Sequence, residues 1–187
     1  MSHDHDDAAL ERLLLERARG GDRSAFDEIV VRHRLAIYGT ARRILGTHEE
    51  ADEAAQETFV RAWRALGGFR GESRIRTWLV RIALNVARTI VAARPSGTVP
   101  LETVDQATQP SDAADARLVR TQAAARVRRA VATLPPRQRE VVALKVFSEM
   151  TYEDVADAMG LTVGAVKAHL HQAVANLRRR MGEERAS

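Results

Sequence analysis

The side chains best suited to recognise another molecule lie near the C-terminal end of the chain, between Leu134 and Arg180. Two short helical patterns meet there at Gly160, which can take the left-handed conformation that ends a helix. The first of them opens with Thr151 and has an acid three residues on, which is the spacing of a capping box. Thr162 can then cap the helix that follows. The stretch therefore predicts a helix-turn-helix, in which the second helix can enter the major groove of DNA.

That second helix has an apolar stripe that is predicted to face a core, formed by Val163, Val166, Leu170, Val174 and Leu177. Its outer side carries small and polar residues and few acids. Amide, imidazole and ammonium groups can donate hydrogen bonds to base edges and phosphates, and small side chains allow close approach. A helical hairpin with a solvated outer face would show the same caps and apolar stripe, so the pattern alone leaves both interpretations open. The candidate contacts are Thr162, Ala165, Lys167, Ala168, His169, His171 and Gln172.

A second candidate surface is a cationic ribbon in the first half of the chain. Arg74, Arg81 and Arg88 repeat every seven residues along one flank of a predicted helix, with Asn85 beside them. Arginines can contact a nucleic-acid backbone, and aromatic rings can stack on unpaired bases. A solvated arginine face is the alternative. The aromatic candidates are Trp78 on the helix and Phe69 in the glycine-rich loop before it.

A third candidate surface lies on the helix that follows Thr47. Thr47 and Glu50 have the spacing of a capping box, which predicts a helix over residues 48 to 66. Most of its outward side is typical of any exposed helix, but Val60 among acids and a glutamine suits docking of a basic partner helix. Asp52 lies near the apolar edge and is interpreted from the pattern as an ion-pair or capping residue. The outward residues used in this prediction are Glu53, Gln56, Glu57, Val60 and Arg61.

Composition excludes several classes of protein. The chain has 187 residues, 45% of them hydrophobic and none of them cysteine, so a disulfide framework and thiolate metal sites are excluded. The histidines have no zinc-site spacing, and no catalytic set of side chains is recognisable. We therefore expect no metal, no cofactor and no enzyme activity. No long apolar run or signal-peptide pattern occurs, which predicts a cytoplasmic protein without membrane insertion.

These surfaces require helices to position them, and the periodicity predicts an all-α fold of two helical domains. The first is expected over residues 9 to 94 and the second, a four-helix domain containing the helix-turn-helix, over 115 to 182. Residues 95 to 114, with prolines and an acidic balance, predict a flexible linker. Residues 116 to 187 hold 13 basic and 7 acidic residues, a net +6 that favours a polyanionic partner.

Three blocks, in this order, resemble the extracytoplasmic-function (ECF) sigma factors of bacterial RNA polymerase. They are HEEADEAAQETFVRAWRAL, FRGESRIRTWLVRIALN and LPPRQREVVALKVFSEMTYEDVADAMGLTVGAVKAHLHQAVANLRR, and together with the acidic linker they span about Leu10 to Met181. The resemblance implies a transcription initiation factor with regions 2 and 4, whose partners are core RNA polymerase, promoter DNA and an anti-sigma factor.

The resemblance also implies roles for individual residues. The helix with Asp52, Glu53, Gln56, Glu57, Val60 and Arg61 would dock on the clamp helices of the largest polymerase subunit. The helix-turn-helix would read the upstream promoter element. Residues that would recognise and help melt the start-proximal element are Phe69, Arg70, Arg74, Thr77, Trp78, Arg81, Asn85 and Arg88.

Two departures from the family pattern bear on promoter choice. Leu84 stands where arginine is common, and Ala168-His169 stand where a Ser-Arg pair is common. Both positions are expected to face DNA, so the promoter of a relative cannot be assumed for this chain.

Two other classes remain as alternatives. One is a DNA-binding regulator that acts without polymerase, and the other is a helical protein-interaction module that uses the face from Glu53 to Arg64 and never contacts DNA. An enzyme is a third and weaker alternative.

Overall fold

The fold consists of helices throughout the described part of the chain. The structure is a computed structural model and describes residues 2–94, 126–127 and 129–186. The predicted linker, 95 to 114, and most of residues 115 to 134 of the second predicted domain lie outside these residues. The helices are α1 (Ser2–Arg19), α2 (Arg23–Leu45), α3 (His48–Ala65), α4 (Ile75–Ala93), α5 (Pro136–Val142), α6 (Tyr152–Met159) and α7 (Val163–Ala186).

Local capping sets where the helices of the first domain begin and end. The Thr47 side chain accepts the backbone N–H of Glu50 at 3.3 Å, which confirms the predicted cap of α3. Gly46, with φ of 94°, ends α2 in the left-handed conformation. The first helix begins at Ser2, ahead of the expected start at residue 9. A short 3₁₀ turn, Leu66–Gly68, follows α3 and directs the chain into the loop before α4.

The start of α4 differs from the sequence prediction. Serine is a favoured cap, so the sequence predicts that Ser73 caps this helix. The residue directly before the helix is instead Arg74, which has extended backbone and whose side chain makes no cap hydrogen bond.

The helix α4 is buried on more of its circumference than a single apolar stripe predicts. It packs against α2 and α3 on one side and against α6 on another. Leu84, expected to face DNA, is fully buried in this core, and that expectation is wrong. Thr77 is buried for the same reason.

In the second domain, a turn of π-helix, Ala143–Phe147, continues α5. Thr151 caps α6 by accepting the N–H of Asp154 at 3.0 Å, and Gly160, with φ of 65°, ends it, both as predicted. The Thr162 hydroxyl accepts the N–H of Ala165 at 3.2 Å at the start of α7. The predicted helix-turn-helix is therefore present as α6 and α7.

Along α7 the buried side differs slightly from the predicted stripe. Val166 and Ala173 are fully buried, and Leu170 and Leu177 pack beside them. Val174, predicted to face the core, is more than one-third exposed.

The two predicted domains share one continuous hydrophobic core. Leu144 and Val155 from the second domain are fully buried in the cluster that also contains Ile37, Leu79 and Leu84 from the first. The helix-turn-helix therefore lies directly against α4 instead of standing apart from it. Among the described residues, no helix is long and apolar enough to cross a membrane.

Candidate nucleic-acid interface

The outward side of α3 is a continuous exposed surface of mixed charge. Asp52, Glu53, Gln56, Val60 and Arg61 are exposed, and their apolar neighbours Ala51, Ala54, Ala55 and Phe59 are buried. Asp52 is thus on the same exposed side as the residues that the sequence predicts to dock, instead of being tied to the apolar edge.

This surface borders a shallow groove between α3 and α4. Its floor and far wall are formed by Val86, Thr89 and Ile90 of α4. Within α3, Arg61 donates through Nε to the Glu57 carboxylate at 2.6 Å, one turn earlier on the same helix. The groove therefore combines an apolar floor with charged and amide groups along its rim.

The cationic ribbon on α4 contacts the second domain. Arg88 donates through Nε and Nη2 to the two carboxylate oxygens of Glu140, each at 2.9 Å. Arg81 donates to the carboxylate and the backbone carbonyl of Asp157, the latter at 3.0 Å. Both arginines are thus paired with acids of the domain that carries the helix-turn-helix.

The pKa values around these pairs follow the contacts. Hydrogen bonding to Glu140 raises the pKa of the Arg88 guanidinium above its usual value, although burial opposes the shift. Burial acts to raise the pKa of Asp154, but hydrogen bonds from Thr151 and Thr77 outweigh it and lower that pKa. The Thr77 hydroxyl donates to Asp154 at 3.0 Å. Asp154 is therefore a charged acceptor shared by the α6 cap and by α4.

The two aromatic rings beside the ribbon pack against each other at a tilt. The ring centroids of Phe69 and Trp78 are 4.7 Å apart and the ring planes meet at 35°, with Phe69 buried and Trp78 half-buried. Trp78 thus presents the more accessible ring, and Phe69 packs against it. Arg70, Arg74 and Asn85 are exposed around them, and Asn85 Oδ1 accepts a hydrogen bond from Arg88 Nη1 at 3.2 Å.

Most of the predicted recognition residues on α7 are open to solvent. Thr162, Lys167, Ala168, His171 and Gln172 are exposed. Ala165 and His169 are half-buried.

Residues that the sequence analysis did not select also shape this surface. Two cations lie near the Tyr152 ring, with Lys145 Nζ at 4.6 Å and Lys167 Nζ at 5.3 Å from its centroid. Gln138 accepts from Asn176 at 2.8 Å, and its own amide reaches Gln172 at 3.5 Å. The signal in the sequence for the first of these contacts is a tyrosine in the first turn of α6, directly after the capping Thr151.

The protein has two helical domains, with a helix-turn-helix in the second and with a cationic surface and a surface of mixed charge in the first. These features define a DNA-binding protein of the transcription machinery. Comparisons with known proteins agree with this class. The chain matches "Sigma-70 region 2" over residues 29–94 and "Sigma-70, region 4" over residues 124–177. Each match lies within one of the two predicted domains, while the exact domain boundaries stay predictions.

Relatives and solved structures extend the match to most of the chain. The RNA polymerase sigma-H factor of Pseudomonas aeruginosa is 34% identical over 87% of this chain and 89% of its own length. The ECF RNA polymerase sigma factor SigM of Mycobacterium tuberculosis is 33% identical over 96% and 87%. The structure of CnrH in complex with the cytosolic domain of CnrY matches with a TM-score of 0.71 and 28% identity, covering 93% of this chain and 98% of CnrH.

The chain therefore belongs to the sigma-70 family, in the group of ECF sigma factors. It is an RNA polymerase sigma factor, which binds the core enzyme and directs it to specific promoters. The alternative of a DNA-binding regulator that acts without polymerase is not favoured.

Proposed function

We propose that the exposed side of α3 is the surface by which this sigma factor docks on core RNA polymerase. The observation that carries the proposal is the groove between α3 and α4, with Glu53, Gln56, Glu57 and Arg61 on its rim and exposed apolar surface from Val60 and Ile90. A basic amphipathic helix of the largest polymerase subunit would place apolar residues on the floor and cations against Glu53 and Glu57. Asp52 extends the acidic rim.

The remaining site residues divide between the two promoter elements. On α4 and the loop before it, Trp78 offers a ring for an unpaired base, and Phe69 holds that ring in place. The basic and polar side chains proposed to contact the start-proximal element beside it are Arg70, Arg74, Thr77, Arg81, Asn85 and Arg88. In the second domain the upstream element would be read by Thr162, Ala165, Lys167, Ala168, His169, His171 and Gln172.

The protein would perform no covalent chemistry and would act in the cytoplasm, where its relatives act on RNA polymerase. We also propose an anti-sigma factor as a partner, since the similar chain CnrH was solved in complex with the cytosolic domain of CnrY.

The docking proposal is tested by reversing the charge of Glu53 and Glu57 together, to lysine. Both side chains point away from the core, so the fold should survive while affinity for purified core polymerase falls at least several-fold. Pull-down measures the affinity, run-off transcription measures the consequence, and circular dichroism checks the fold.

A matched control carries the same charge change elsewhere. Glu16→Lys with Glu28→Lys alters two exposed acids on α1 and α2, and Glu28 has an i,i+4 arginine partner as Glu57 does. The control should bind core polymerase like the wild type. Equal core affinity of the Glu53 and Glu57 variant and the wild type, with unchanged circular dichroism, would refute the docking surface.

A further inference from the structure

A line of side-chain hydrogen bonds crosses the contact between α5 and α7. Arg179 Nη2 donates to Asn176 Oδ1 at 3.4 Å, and Asn176 Nδ2 donates to Gln138 Oε1 at 2.8 Å. Gln138 Nε2 donates in turn to Gln172 Oε1 at 3.5 Å. These four residues form an amide relay, which begins at a cation and ends at Gln172, on the helix proposed to read the upstream element.

Packing between α5 and α7 holds the middle of the amide relay in place. Ala173, next to Gln172 in the chain, is fully buried in a cluster with Leu134 and Val142. Gln138 is itself buried, at 8% exposure. A buried amide that loses a hydrogen-bond partner carries a cost in free energy, because water does not replace the partner. Gln138 is therefore held to its two partners on α7.

The direction of the amide relay is set by Arg179. A carboxamide can turn by half a rotation and exchange its oxygen and nitrogen, so a line made only of amides could run either way. A guanidinium, however, has donors and no acceptor. Arg179 therefore faces the oxygen of Asn176, which turns the nitrogen of Asn176 toward Gln138. The Gln138 oxygen then faces Asn176, and its nitrogen faces Gln172.

The last step decides what Gln172 can offer to DNA. Its side chain is exposed, and its Oε1 is the atom that faces Gln138. Among the described residues, none accepts a hydrogen bond from its amide nitrogen. In the major groove, guanine presents two acceptors and thymine presents one, whereas adenine and cytosine each present an amino donor. A nitrogen turned outward suits the first two bases.

We propose that Gln138 is a positioning residue for promoter recognition, which turns the Gln172 amide so that it can only donate to a base. Gln172 then selects guanine or thymine over adenine or cytosine in the strand that it contacts. The inference rests on the proposed role of Gln172 in reading the upstream element. Gln138 is buried and acts only through Gln172.

Asn176→Asp tests the proposal because it reverses the direction of the amide relay. The carboxylate has the size of the amide and still accepts from Arg179, but it cannot donate to Gln138. Gln138 must turn its nitrogen toward the carboxylate, so its oxygen faces Gln172. Gln172 then turns its own nitrogen inward and its oxygen outward. Base preference at the contacted position should change from guanine or thymine to adenine or cytosine, by roughly tenfold.

The assay is selection by holoenzyme, assembled from core polymerase and the full-length chain, from duplex DNA with a randomised upstream element and a fixed start-proximal element. Comparison of wild type with Gln172→Ala identifies the base position that Gln172 contacts. Ala175→Asp is the matched control, because it adds the same charge at an exposed neighbouring position outside the relay. It should weaken binding to all sequences alike. A loss of stability would also act on all sequences alike and would not exchange one preferred base for another.

Gln138→Glu reaches the same end by a different route. The carboxylate still accepts from Asn176, but it can no longer donate to Gln172, so Gln172 should again turn its oxygen outward. Both variants should select the same new bases. Circular dichroism checks the fold, and if one variant loses its native spectrum the other decides alone. An unchanged preference in the folded variants would overturn the proposal, as would a wild-type preference for adenine or cytosine at that position.

Failure of the underlying role of Gln172 gives a different result. If Gln172→Ala selects the same sequences as wild type, Gln172 reads no base, and the inference falls together with that part of the proposed function. If Gln172→Ala changes the selected bases while Asn176→Asp and Gln138→Glu do not, Gln172 reads a base and only the amide relay is refuted.

Discussion

Arg94 joins three helices at the end of the first domain, and its loss is expected to destabilise the fold. Its guanidinium donates through Nε to Glu50 Oε1 at 2.9 Å and through Nη2 to Oε2 at 2.5 Å. Nη2 also donates to the Leu45 carbonyl at 2.6 Å, at the end of α2. Arg94→Ala would therefore leave a carboxylate and a carbonyl without these donors.

The magnitude follows from how far the pair is removed from water. Breaking a fully buried ion pair costs about 3 to 5 kcal/mol, because the remaining charge has no partner. The Arg94 and Glu50 side chains are 12% and 23% exposed, so water can replace part of the lost interaction. Thr47 also continues to donate to Glu50. We expect a loss of about 2 to 3 kcal/mol in the free energy of unfolding, or roughly 4 to 12 °C in Tm.

The assay is urea denaturation of the purified chain, followed by circular dichroism, with Arg61→Ala as the matched control. Arg61 also pairs with a glutamate of α3, but these two side chains are 45% and 39% exposed. An exposed i,i+4 pair contributes only about 0.3 to 0.5 kcal/mol. Equal destabilisation by the two substitutions would refute the argument that burial of the Arg94 pair decides its contribution.

The same pair predicts a dependence on pH. Burial acts to raise the pKa of Glu50, but hydrogen bonds from Arg94 and Thr47 outweigh it and lower the pKa in the folded state. The stabilisation is therefore present above the unfolded pKa of about 4.3 and is lost as pH falls through the folded pKa. Wild type should exceed Glu50→Gln in stability at neutral pH, and the difference should shrink below about pH 4. A difference that stays constant down to pH 3 would contradict this assignment.

Two further predictions concern the promoter contacts. Trp78→Ala should reduce strand opening, because it removes the accessible stacking ring. Phe69→Ala should act in the same direction, because it removes the ring that packs against Trp78. Strand opening is measured by permanganate footprinting at equal promoter occupancy. Unchanged opening in both would exclude this pair from melting. Lys167→Ala should weaken binding to all promoters alike and lower the slope of log affinity against log salt by about one unit. His169→Ala and Gln172→Ala should instead reduce the base preference selected from a randomised upstream element, since each base contact contributes about 1 to 3 kcal/mol of discrimination. Identical selected sequences would place both side chains outside the base-reading set.

Features governed by neighbouring residues could be predicted from the sequence. The caps at Thr47, Thr151 and Thr162 and the left-handed Gly160 each depend on contacts within three or four positions, and all four are present as predicted. The family resemblance also rests on short blocks of sequence in their order along the chain, and the matches to sigma-70 regions 2 and 4 confirm it. Periodicity alone had left the function open between a DNA-binding and a protein-binding module.

Features governed by the contact between domains could not be predicted in this way. An amphipathic pattern identifies one buried side of a helix, but α4 is buried by α2 and α3 and again by α6. Leu84 and Thr77 are buried for that reason, although the resemblance had placed the first toward DNA and had given the second a DNA contact. Arg88 and Glu140 are 52 positions apart, and no local signal connects them.

Asp154 shows how a local assignment can be right and incomplete. Its spacing from Thr151 predicts a capping box, and the Thr151 hydroxyl does donate to its carboxylate, at 2.8 Å. The other carboxylate oxygen accepts from Thr77 of the first domain, so one side chain both starts α6 and holds it against α4. Substituting Asp154 would disturb the helix-turn-helix and the contact between domains together. Glu140 and Asp157 do not take part in that cap, so changes at those two positions would weaken the contact with α4 and leave the start of α6 in place.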